Sequence, residues 1–173
     1  VSIGMVVNCT HHVITTILDQ HNDFIYILDL HSKDMHQARS FSKSRVCHAW
    51  RKGVFVTTGF VINLHARPGM FGDAFYDWKS HFSLNCQAVI MPHNLMIVDY
   101  ALVQPRSVHD AHAFHRTRMY QDPTNLIPTD HWIWADSVYP TEVWCAVPFK
   151  KLQGGSLTHR QNLYNCYLSK VRT

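Results

Sequence analysis

Residues Val54–Leu64 read VFVTTGFVINL, a run of β-branched and aromatic side chains that begins as the chain leaves Trp50. Such residues fit a pleated, half-buried surface, so the run predicts a strand. Two more follow, His81–Met91 and Leu95–Val103, and the short PHN link between them predicts a hairpin. Beyond this antiparallel meander, Asp110–Gln121 is expected as a helix carrying Ala113, Phe114 and Met119 inward. His131–Ala135, HWIWA, is expected as a short buried strand, and Thr141–Val147 as a helix or strand ending near the Pro148 break. A meander followed by alternating helix and strand points to an α/β fold with a mixed sheet and flanking helices.

Upstream of the meander the texture is helical. From Ile3 to Leu18, Val6, Val7, Val13, Ile14, Ile17 and Leu18 recur at helical spacing, which predicts a helix packed on the core. A second helix is expected from Ser32 to Ser44, with Ser32 as its cap and Met35, Ala38 and Phe41 on one side. The division is therefore a helical lead-in over residues 1–50 and a main domain over 51–173, with QGGS at 153–156 as the clearest flexible joint.

Composition bounds the partners. With 173 residues, of which 46% are hydrophobic and 16% charged, the chain is long enough for one domain with a real core. No apolar run reaches the ~20 residues of a membrane helix, and no signal peptide is evident, so a soluble intracellular protein is expected. Five cysteines, odd in number and widely spaced, predict reduced and mostly buried thiols and not a disulfide scaffold. The formal charge of +4 is compatible with nucleic acid without being diagnostic.

Two carboxylates stand out. Asp136 follows the apolar HWIWA run, and Asp110 closes PRSVHD after the third predicted strand. Aspartates at consecutive strand exits can converge, and hard oxygen donors of that kind suit Mg²⁺; the competing reading of Asp136 is an ordinary turn or cap before Tyr139-Pro140. His112 and His115, with His109 nearby, offer zinc-like spacing but no obvious further ligand. Cys47 and His48 are adjacent and so point apart, which rules against a nucleophile pair. Gly154-Gly155 lacks the Lys-Ser/Thr of a phosphate loop. Arg67, Lys79, Arg106, Lys150 and Lys151, interleaved with Phe71, Tyr76, Trp78 and Phe149, form either a phosphate-tracking surface or a solvated one.

Taken in order, ARPG at 66–69, Phe71-Gly72, YDWKS at 76–80, SLNCQ at 83–87, SVHD, ADSVYP and VPFKK resemble the DDE superfamily endonucleases of Harbinger/PIF-type transposons, the fungal version above all. NCTHHVI at 8–14 and CHAWRKG at 47–53 are similar to that family's helical lead-in. The resemblance implies a ribonuclease H-like fold, metal-dependent phosphodiester cleavage and strand transfer on DNA, Mg²⁺ or Mn²⁺ as cofactor, a separate DNA-binding partner protein and a nuclear location. It also implies that Asp110 and Asp136 are the surviving metal-binding and catalytic acids, and that Arg67, Lys79, Arg106, Lys150 and Lys151 contact DNA.

The chain departs from the pattern at telling places. The family's first aspartate falls here on Thr58, and a hydroxyl is a far weaker Mg²⁺ ligand than a carboxylate. Arg106 and Val138 replace family glycines, and either would be strained if its position required positive φ. Asn162–Thr173 resembles the start of the helix that carries the family's glutamate, which is not reached. The expectation is a truncated, decayed or domesticated copy with little or no turnover, or alternatively a non-catalytic DNA- or protein-binding remnant.

Overall fold

The computed structural model describes residues 2–77, 80–105 and 110–172, and the side chains of 103–105 and 110 lie outside that description. Five strands form one sheet: β1 (Gly53–Asn63), β2 (Ser83–Ile90), β3 (Ile97–Pro105), β4 (Trp132–Trp134) and β5 (Cys145–Ala146). Their order is β3-β2-β1-β4-β5. The first three make the expected antiparallel meander, with β1 pairing β2 from Val56↔Ile90 to Asn63↔Ser83. β4 then joins the other edge of β1 in parallel, through Phe55↔Ile133 and Val56↔Trp134, and β5 adds in parallel to β4. The ambiguous Thr141–Val147 stretch thus resolves as a short strand, buried at Cys145.

Because side chains alternate across a strand, consecutive residues feed two separate cores. Phe55 of β1 and Ile133 of β4 join the larger one, with Val89, Phe114 and Met119. Val56 and Trp134, their neighbours in sequence, form the smaller core with Leu168 and Val171 of the last helix, α7 (His159–Arg172 in chain order after the six introduced next). The remaining helices are α1 (Ile3–Asp19), α2 (His21–Phe24), α3 (Lys33–Arg45), α4 (Asp110–Phe114), α5 (Arg118–Gln121) and α6 (Pro123–Leu126). α3 matches its expectation: Ser32 accepts from the Met35 N–H at 3.2 Å, and Met35 and Ala38 are buried.

Three expectations need correction. α1 forms over the expected residues but buries none of them; Ile3, Val13 and Ile17 stay exposed, because the described fold sets no apolar face against its stripe. The helix expected over 110–121 is broken. Buried Asp99 of β3 accepts from the Met119 N–H at 2.8 Å and Arg118 Nε at 3.2 Å, while Thr117 caps α5 by accepting from the Tyr120 N–H, so a fresh helix starts at Arg118. Finally, the five thiols are free as expected, yet only Cys86 and Cys145 are buried, while Cys9, Cys47 and Cys166 are exposed.

Candidate functional site at the exit of β4

The parallel register locates the site. Val56 lies opposite Trp134, the last pair of the parallel ladder, and a register continued by two residues would bring Thr58 level with Asp136 on the face of Val56 and Trp134. Thr58 is half-buried and paired to Ala88 on its other side. α7 covers the same face. Leu168 and Val171, one turn apart, seat it against Val56 and Trp134, and that fixed rotation aims Arg172 at the exit of β4. Arg172 Nη1 lies 3.6 Å from Asp136 Oδ1, and Arg172 Nε is buried with no hydrogen-bond partner among the described residues. Asp136 is half exposed and also accepts from the Ser137 N–H.

The two aspartates singled out in the sequence leave strands that are not neighbours. β3 and β4 are separated by β2 and β1, roughly 14 Å between axes at the usual strand spacing. Asp110 opens α4, whose Phe114 packs edge-on against Tyr139 in the larger core, whereas Asp136 faces α7. The carboxylate of Asp110 lies outside the described residues, as do Lys79 and Arg106. Val138 sits in the turn after Asp136 without positive φ, so the strain expected there does not arise.

Of the basic residues, Arg67 is tied to Asp73 at 3.0 Å. Lys150 and Lys151 are exposed beside Phe149, whose backbone is clamped by Asn165 through hydrogen bonds of 2.9 and 3.0 Å. The rings of His112 and His115 lie 6.0 Å apart, His115 stacks on Tyr120, and among the described residues no group of three potential ligands forms a metal site. Sequence reasoning missed Arg172. A signal was present: Leu168, Val171 and Arg172 are spaced i, i+3, i+4, so this arginine borders the helix's apolar stripe, where a cation needs an acidic partner.

A mixed sheet of this order, with a parallel β1-β4-β5 half and candidate site residues at the exit of β4, defines a ribonuclease H-like α/β domain. The family model for DDE superfamily endonucleases matches residues 57–173, and the chain belongs to that family. No curated protein and no solved structure matches it. The family acts on DNA and generally uses divalent metals. The donors described here do not fit such an ion: position 58 offers a threonine hydroxyl in place of a carboxylate, and Asp136 faces a guanidinium, which supplies positive charge where a metal site concentrates negative charge.

Proposed function

We propose that this chain is a transposase-type nuclease domain, of the Harbinger/PIF kind and its fungal branch, in which cleavage and strand transfer at transposon DNA ends are lost or greatly weakened. The observation that supports the reading is the register Val56↔Trp134, which, continued by two residues, would bring an uncharged Thr58 level with Asp136 where the resemblance expects carboxylates at both positions. In this reading Asp136 and Asp110 are the remaining acids of the ancestral site, and the protein works on DNA in the nucleus. A supercoiled-plasmid nicking assay with Mg²⁺ or Mn²⁺ tests it. No nicking above background is expected, and robust nicking abolished by Asp136→Ala overturns the reading.

A second reading, a non-catalytic DNA-binding remnant, is supported by the exposed Lys150 and Lys151 beside the half-exposed, rigidly held Phe149. Cations flanking an aromatic ring suit phosphate contact and base stacking. Binding should then be weak and should fall steeply with salt, and Lys150→Ala with Lys151→Ala should reduce the slope of log affinity against log salt by about 1–2. An electrophoretic shift indifferent to salt contradicts this.

A further inference from the structure

We propose that Arg172 is the built-in counter-ion of Asp136, holding the carboxylate in the place a divalent ion would take, so that this site is closed to metal by two changes and not by the loss at Thr58 alone. The inference rests on the reading of Thr58 as a lost acidic position and goes beyond it, because it assigns a second residue whose effect is positive charge and not missing charge.

Three observations converge. α7 cannot rotate freely, since Leu168 and Val171 are almost fully buried against Val56 and Trp134, which fixes the side of the helix that meets the exit of β4. From that side Arg172 reaches Asp136 at 3.6 Å, with its side chain only 25% exposed, so the guanidinium is lodged and not waving in solvent. Its Nε is buried and unpartnered among the described residues, so the pair with Asp136 is incomplete as a fork. If the β1–β4 register runs on by two residues, an additional carboxylate at position 58 would stand level with Asp136 and share its guanidinium. Arginine stays protonated throughout the accessible pH range, so it does not vacate the site by losing charge.

Divalent-ion binding measured by titration calorimetry with Mn²⁺ alone, on the whole chain, separates the two contributions. The wild type and Arg172→Met should show no binding, Thr58→Asp weak binding at most, and Thr58→Asp with Arg172→Met binding at least about tenfold tighter than Thr58→Asp, the scale expected when a close cation is removed from a metal-binding carboxylate pair. Thr58→Asp with Arg172→Lys should match Thr58→Asp, because the charge persists. In the Thr58→Asp background, equal affinity with and without Arg172 overturns the inference while leaving the reading of Thr58 intact. Tight Mn²⁺ binding by the wild type overturns both that reading and the inference. Arg172→Gln serves as a second charge-removing variant, and the fluorescence of the stacked Trp50–Trp134 pair, ring centroids 4.5 Å apart, reports whether each variant keeps the α7 face folded.

Discussion

β4 carries a carboxylate–cation pair at each end, and the two differ in kind. At its entry, Lys52 Nζ meets Asp130 at 2.8 Å in the open, and His131 beside it is held by Arg39 and by the Thr129 carbonyl. At its exit, Asp136 meets Arg172 at a looser 3.6 Å, in a partly enclosed setting with an unpartnered buried donor. Each end also buries a side-chain donor with no partner among the described residues, Trp132 Nε1 at the entry and Arg172 Nε at the exit. At the exit that unpartnered donor belongs to the ion pair itself, whereas at the entry it belongs to a neighbouring indole. Proximity of opposite charges is common to both, so the hydrogen bonding of the paired groups themselves, and not the ion pair alone, distinguishes the tight entry contact from the looser exit one.

The largest effect should come from breaking the segment between these ends. Gly53 lies against the Trp134 indole so closely that a Cβ would sit 2.2 Å from Nε1 and Cε2. The ring cannot retreat: its Nε1 donates to the Gly53 carbonyl at 3.1 Å, Trp50 stacks on it, and only 2% of the residue is exposed. Gly53→Ala should therefore cost about 3 kcal/mol, the upper part of the overpacking range, read as a lower urea midpoint at unchanged m. A loss below about 1 kcal/mol would mean that β4 and α7 shift readily, and the contrast between its two ends would then lose its rigid frame.

How much of this was legible beforehand follows from what each signal encodes. Alternating β-branched runs disclosed β1, β2 and β3 to within about three residues, because a half-buried strand writes its period into the chain. HWIWA likewise disclosed β4 and the position of Asp136 at its exit. Pairing order was not written locally: nothing in HWIWA says that it lies beside β1, and only that neighbour sets Val56 opposite Trp134 and leads the two chains on toward Thr58 and Asp136. α1 shows the converse failure, since a regular apolar stripe states that a helix has a face and not that the fold supplies a partner. The break at Thr117 required knowing that Asp99, 18 positions upstream on another strand, would cap a helix there.

The entry end yields the smaller test, through pH. Arg39 Nε donates to His131 Nε2 at 3.1 Å, and His131 Nδ1 lies 2.9 Å from the Thr129 carbonyl oxygen, so the fold holds the ring neutral with its proton on Nδ1. Burial, opposed in part by the Thr129 contact and reinforced by Arg39 and Lys52, pushes the His131 pKa below its ordinary 6.5. The sign follows directly: between the lowered folded value and 6.5 the unfolded chain binds more protons, so stability rises with pH across that window and is lost as pH falls through 6.5 toward the folded value. Asp130, held low by Lys52, contributes in the same direction only near its much lower carboxylate range. Urea unfolding between pH 8 and about 5 should thus show a decline that flattens in His131→Asn, which cannot gain a proton. If the decline persists undiminished in that variant, another histidine carries it, and the entry of β4 is no more a settled brace than its exit.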